Sequence, residues 1–164
     1  GTRFIVADYS AIEARVLAWL AGESKTLSSF AQGKDLYCDT ASSMFGVPVE
    51  KHGRNAELRQ KGKIATLACG YQGGVGAIKA MGGERMGLNE TEMKHIVDAW
   101  RRANPHVVQY WWDIDQAAKD AITTNEPQQV RNINLHTQRG MLFITLPSGR
   151  RLAYAKPAIG PDPR

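Results

Sequence analysis

Residues 59–71 read Arg59-Gln60-Lys61-Gly62-Lys63-Ile64-Ala65-Thr66-Leu67-Ala68-Cys69-Gly70-Tyr71. Arg59, Lys63 and Leu67 recur at i, i+4 and i+8, so a helix places them on one face. The rise from Arg59 to Leu67 is about 12 Å at roughly 1.5 Å per residue. That is close to the reach of a nucleoside triphosphate from its terminal phosphate to its base. Two cations would meet the phosphates and one apolar side chain the base. The Arg fork can bond two oxygens of a terminal phosphate, whereas Lys acts as a point charge. A solvated basic face has the same spacing, so the flanking sequence must decide. The spacing predicts a helix over about Asn55 to Ala68. Gly62 inside it costs about 1 kcal/mol relative to Ala, which is tolerable where something approaches the backbone closely.

Upstream, Arg3 to Asp8 reads as a short buried strand, Phe4-Ile5-Val6-Ala7, that delivers Asp8 at its C-terminal end. Acidic ligands are commonly placed there, although a strand-end Asp is also an ordinary turn residue. Ser10-Ala11-Ile12-Glu13 matches a capping box, with Ile12, Val16, Leu17 and Leu20 as the apolar face of the helix it opens and Gly22 as its stop. The box accounts for Glu13 without any ligand. A second helical region runs from Ser28 to Phe45 through a Gly33-Lys34-Asp35 turn. Asp35 caps its second part, and Leu36, Ala41, Met44 and Phe45 pack inward. Gly46-Val47-Pro48 ends it, and His52 to Arg54 is loop.

Downstream, Gly70, Gly73, Gly74 and Gly76 break the basic helix. They form neither a Gly-x-x-x-x-Gly-Lys-Ser/Thr loop nor a complete dinucleotide fingerprint, so a joint or a close approach to a ligand is the better reading. Asn89-Glu90-Thr91-Glu92 is an Asx capping box for a helix whose stripe is Met93, Ile96, Val97 and Trp100. Asn104-Pro105 ends it and starts the next, with Pro105 at the first helical position. Val107, Val108, Trp111, Ile114, Ala118 and Ala121 line that helix as core residues. Val130 to Leu135, Met141 to Leu146 and Arg151 to Ala155 read as strands, with Pro147-Ser148-Gly149-Arg150 as a hairpin turn. The expected fold class is α+β, mostly helices with one strand at the start and a small antiparallel sheet near the end.

Composition sets the bounds. The 164 residues suffice for one domain with a core, and 43% hydrophobic content with four Trp argues against disorder. A net charge of +5 favours an anionic partner. Cys38 and Cys69 fit no CxxC pattern, so reduced thiols in a cytoplasmic protein are expected and a cysteine zinc site is not. His52, His95, His106 and His136 are scattered and suggest no histidine metal site. No apolar run reaches the roughly 20 residues of a membrane span, and no signal peptide or internal repeat is evident. Both ends read as cut from something longer.

Asp8-Tyr9-Ser10-Ala11-Ile12-Glu13-Ala14-Arg15 resembles motif A of the A-family DNA polymerases, the bacterial polymerase I and phage replicase group. Gly33-Lys34-Asp35-Leu36-Tyr37 and Ala41 to Pro48 resemble the segment that follows it. Arg59, Lys63 and Gly70-Tyr71 resemble motif B, the O helix of the fingers. Arg102-Ala103-Asn104-Pro105 and Leu146-Pro147-Ser148-Gly149-Arg150 resemble later parts of the same domain. Gly70-Tyr71-Gln72-Gly73-Gly74 is closest in character to the phage and prophage branch. The resemblance implies motif A of the palm over 1–25, helical fingers over about 26–125 and a return toward the palm over about 126–164. It implies primer-template DNA and deoxynucleoside triphosphates as partners and two magnesium ions as cofactors. Asp8 would bind both ions, with the Tyr9 carbonyl as a further ligand. Glu13 would be the steric gate against a ribose 2′-hydroxyl. Tyr37 stands where many members have a phosphate-contacting His. Arg59 would hold the γ-phosphate, and Lys63 would stabilise charge on the transferred phosphate and protonate the pyrophosphate. Leu67 would pack on sugar and base, and Tyr71 would shape the templating-base pocket.

The sequence departs from the family pattern in several places. Leu67 stands for the usual Phe or Tyr, Ala11 for a common Gln and Gln72 for a common Gly. Motif C, a His-Asp-Glu type turn with the second metal-binding aspartate, has no match, nor do a thumb or a 3′–5′ exonuclease. A polymerase piece that needs the rest of the enzyme, thumb and motif C palm included, is therefore expected to be nearly inactive alone. Unpaired strand edges also make self-association an expectation. A non-catalytic nucleic-acid-binding module that uses the basic helix for phosphates is the alternative. A purely structural helical domain is the third reading, and it leaves Arg59 and Lys63 without a ligand.

Overall fold

Three of the helices in this chain start where a side chain takes up free backbone N–H groups. The computed structural model describes residues 2–160. Asp35 accepts from the Tyr37 and Cys38 N–H groups at 3.0 and 3.1 Å and opens α3 (Leu36–Phe45). Asn89 accepts from Glu92 N–H while Glu92 reaches back to Asn89 N–H, a complete capping box at the head of α6 (Glu90–Ala103). The other helices are α1 (Ile12–Ala21), α2 (Ser24–Ala31), α4 (Leu58–Cys69), α5 (Val75–Ala80) and α7 (Pro105–Thr124). Gly22 and Gly46 end α1 and α3 in the left-handed conformation at φ 64° and 67°. Pro105 is the first residue of α7, as expected.

Two compact units result, one up to Val108 and the other from Gln109. In the first, α4 lies against α3 so closely that Gly62 has no room for a side chain. A Cβ there would sit 2.3 Å from the Tyr37 carbonyl oxygen and 3.0 Å from Ala41 Cβ. The close approach that makes this glycine tolerable is therefore another helix. Cys38, Ala41 and Val49 form a buried cluster, with Phe45 and Leu58 packed on it. Met93, Ile96, Val97 and Trp100 of α6 are buried, as their spacing predicts. Glu23, buried between α1 and α2, accepts from the His106 N–H at 3.0 Å and so caps α7. In the second unit four antiparallel strands run in the order β1 (Gln128–Val130), β2 (Ile133–Gln138), β3 (Met141–Thr145) and β4 (Arg151–Ala155). The fold class is α+β.

Four local expectations fail. Residues 2–9 form no strand, and Phe4, Ile5 and Val6 are exposed. A strand needs a partner for its ladder, and none of the described residues pairs with this stretch. The Ser10–Glu13 capping box is not formed; Ala11 sits at the head of α1 with φ 51° and no side chain caps it. The apolar stripe of α1 is not core throughout, since Ile12 and Val16 are exposed while Ala18 and Ala21 are buried. The run from Val130 to Leu135 is two strands and a turn, with Arg131 at φ 52° between β1 and β2. The basic helix also starts three residues later than expected, at Leu58.

Candidate nucleotide site

The two cations singled out for phosphate contact converge on one ring. The Arg59 guanidinium carbon lies 5.3 Å from the Tyr37 ring centroid, and Lys63 Nζ lies 5.9 Å from it. The convergence follows from packing: α4 presents Arg59 and Lys63 one turn apart, and the Gly62 contact holds that face against the start of α3, where Tyr37 sits.

Asp35 completes this end of the site. One of its carboxylate oxygens, Oδ2, accepts from Arg59 Nη2 at 2.8 Å and Nε at 3.1 Å, while the other caps α3. Burial pushes the Asp35 carboxyl up, but the Arg59 bond, the Cys38 N–H, the Arg59 charge and the Tyr37 N–H together outweigh it and leave it below its ordinary 3.8. The bond from Asp35 conversely raises the Arg59 pKa. Sequence reasoning saw Asp35 as a cap and missed it as the partner of Arg59. The pair spans 24 residues, and no local pattern signals it.

Beyond the cations lies a mostly apolar cleft of about 420 Å³, wholly within the first unit. Glu13, Tyr37, Leu67 and Tyr71 all line it, as do Trp100 and Val107. The exposed Ile12 and Val16 open onto this cleft, which explains why the α1 stripe is not fully covered. The nearby Glu13 carboxylate is the main cause that raises the Tyr71 phenol pKa, with burial adding to it. Glu13 makes no cap, and it lines the cleft beside Tyr71.

Asp8 and Tyr9 precede α1 on exposed, irregular backbone and are not part of the cleft wall. Among the described residues no group of three or more His, Cys, Asp or Glu side chains comes together to hold a metal ion. One exposed carboxylate and one carbonyl do not make up a donor set for two magnesium ions, so these residues alone do not fit that cofactor.

Comparison with known proteins shows the family. The family described as DNA polymerase family A matches residues 1–140. The chain belongs to DNA polymerase family A. A DNA polymerase of Bacillus phage SP02 is 48% identical over 165 residues, covering 100% of this chain and 26% of that protein. DNA polymerase I of Chloroflexus aurantiacus is 33% identical over 116 residues, 71% of this chain and 11% of that one. The thermostable DNA polymerase I of Thermus aquaticus is 48% identical over 50 residues, 30% of this chain and 6% of that protein. This A-family chain thus spans about a quarter of the length of its phage relative. No helix among the described residues is long and apolar enough to cross a membrane.

Proposed function

We propose that this chain is the nucleotide-binding part of a DNA-directed DNA polymerase, which adds deoxynucleotides to a primer 3′-hydroxyl on a DNA template. The carrying observation is the convergence of Arg59 and Lys63 on Tyr37, which itself lines a cleft together with Glu13, Leu67 and Tyr71. In this reading Arg59 holds the terminal phosphate, and Lys63 meets the phosphate being transferred and gives a proton to the departing pyrophosphate. Tyr37 keeps both cations in place by facing them with its ring. Leu67 packs on sugar and base, and Tyr71 shapes the pocket for the templating base. Glu13, on the cleft wall beside Tyr71, stands as the gate against a 2′-hydroxyl.

Asp8 and the Tyr9 carbonyl would be only this chain's share of a magnesium donor set that other residues complete. The stretch 1–25 is assigned to the palm, about 26–125 to the fingers and about 126–164 to a return toward the palm; Gly1 and 161–164 lie outside the described residues. Because no motif C is present, the chain alone barely polymerises, and the remainder of a polymerase, thumb included, is its partner. The assigned location is the cytoplasm.

The test is retention of a labelled deoxynucleoside triphosphate by the chain and by the Arg59→Gln/Lys63→Gln double variant. The expected result is a loss of at least about tenfold, since charge-assisted phosphate bonds contribute roughly 1.5–3 kcal/mol each. Equal retention overturns the assignment. Primer extension in magnesium accompanies it: robust synthesis by the chain alone refutes the stated dependence on a second acidic motif.

A further inference from the structure

The two faces of the β1–β4 sheet are chemically unlike. Ile133, Leu135 and Leu142 point to one face and are buried. That face is tied to α7, since Thr137 Oγ1 donates to the Ala121 carbonyl at 3.4 Å. The pairing register places His136, Phe143 and Ala153 side by side on the other face. There the His136 and Phe143 rings stack with centroids 5.4 Å apart, and the Arg151 guanidinium lies 5.9 Å from the Phe143 centroid. Both rings are half-buried and Arg151 is exposed. A groove of about 510 Å³ runs beside them, its wall including Gln129, Asn134, His136 and Gln138. This face carries aromatic rings, amides and cations but no carboxylate.

Charge points the same way. From Asn125 to Gly160 there are five cations, Arg131, Arg139, Arg150, Arg151 and Lys156, against one acid, Glu126, in a chain whose net charge is +5. Asp113, Asp115 and Asp120 sit on α7, on the side of the sheet that Thr137 faces. The cations lie at both ends of the strands. Arg139 occupies the β2–β3 turn at φ 50°, and the Lys156 N–H donates to the Gly140 carbonyl at 2.9 Å. Arg150 and Arg151 follow the turn at the opposite end. Roughly 15 Å of strand separates the two ends, at about 3.4 Å per residue, with the ring pair between them.

We infer that the open face of this sheet is a contact surface for single-stranded DNA, with a base stacked on the His136–Phe143 pair and backbone phosphates held by the cations at either end. A single strand is indicated over a duplex because only an unstacked base offers its face to an aromatic ring. Amides beside the rings can bond the edge of a base seated there. The choice of DNA over RNA rests on the polymerase reading. The surface itself is built from residues that the nucleotide cleft does not use.

The test is fluorescence anisotropy of a labelled oligo-deoxythymidylate and of a duplex of equal length, titrated with the whole chain over a range of salt. Phe143→Leu keeps the apolar volume and removes the stacking ring; His136→Gln does the same at the more polar ring and guards against a folding defect in the first. Each is expected to weaken single-strand binding about tenfold, with circular dichroism unchanged. Arg139→Gln and Arg151→Gln are each expected to reduce the slope of log affinity against log salt by about 0.7. Unchanged affinity in both ring variants overturns the proposal. So does tighter binding of the duplex, or equal binding of polyglutamate, which would mark an unspecific basic patch. Triphosphate retention by the same preparations reports on Arg59 and Lys63 alone, so failure of the polymerase reading and failure of the sheet surface are told apart.

Discussion

Asp35 carries two loads, and substitution can separate them. It caps α3 through one carboxylate oxygen and holds Arg59 through the other. Asp35→Ala removes both. Loss of the cap costs about 1 kcal/mol. The ion pair is about one-quarter exposed on each side, so solvent screening holds it to at most about 1 kcal/mol. The expected sum is about 1.5–2 kcal/mol, or roughly 3–8 °C in Tm for a chain of this size. Asp35→Asn keeps a capping oxygen of nearly equal quality and loses only the pair, so about 0.5–1 kcal/mol is expected. Urea unfolding of the three proteins measures both differences.

The pH dependence sharpens this prediction. The folded Asp35 carboxyl lies below 3.8, so the unfolded chain takes up its proton first as pH falls. The pair's contribution is therefore full above the unfolded value and is lost as pH drops through the lower folded one. The stability gap between the parent and Asp35→Asn should be flat near neutrality and shrink only below about pH 4. A gap of equal size in both variants, or one that does not shrink in acid, refutes the account of Asp35 as both cap and counter-ion. The same Asn variant frees Arg59 from a competing carboxylate, so triphosphate retention should tighten, by up to about fivefold.

Gly62→Ala should destabilise by about 2 kcal/mol or more despite its better helix propensity, because the new Cβ meets the Tyr37 backbone; thermal melting checks it. Gln72 holds φ 62°, so Gln72→Gly should relieve more strain than it adds in unfolded-chain entropy and gain about 0.5 kcal/mol in the same melts. Glu13→Gln should lower the Tyr71 pKa toward 10.0, followed by tyrosinate absorbance; the pair's stabilisation is present below that value and fades as pH rises through the native one. Cys38 and Cys69 are buried free thiols, and burial pushes Cys69 up to about 11, so neither should react with maleimide at neutral pH until the chain unfolds.

What was legible in the sequence was what is decided within a few residues. The Asn89 box, the Asp35 cap, the glycine stops at 22 and 46 and the Pro147–Arg150 hairpin all depend on local backbone groups. The family motifs were legible because Arg59, Lys63 and Tyr71 keep fixed spacing on and just beyond α4. What was not legible depends on partners far along the chain. Phe4 to Ala7 has the composition of a strand, yet strand formation depends on a neighbour that composition does not supply. Glu13 satisfies the spacing of a capping box, but the helix begins one residue late, with Ala11 at φ 51° at its head, so Ser10 is not at the capping position. Arg131 splits the apolar run 130–135 because a left-handed turn there lets β1 and β2 fold back on each other, a choice that the alternation of side chains does not encode.

The spacing of Arg59 and Lys63 alone favours a solvated basic face over a phosphate site, and their surroundings bear on the choice. On a solvated face, water would screen both cations and their positions would be loosely set. Here both are half-buried and both lie against the Tyr37 ring. Confining two like charges beside one ring costs free energy in the empty site, and a single carboxylate, Asp35, offsets only one of them. Among the described residues Lys63 has no carboxylate partner. The cluster therefore keeps an uncompensated positive charge beside Tyr37, a residue of the apolar cleft's wall. An anion whose other end is apolar relieves that imbalance, and a nucleotide has its phosphates and base at the separation that α4 sets between Arg59 and Leu67.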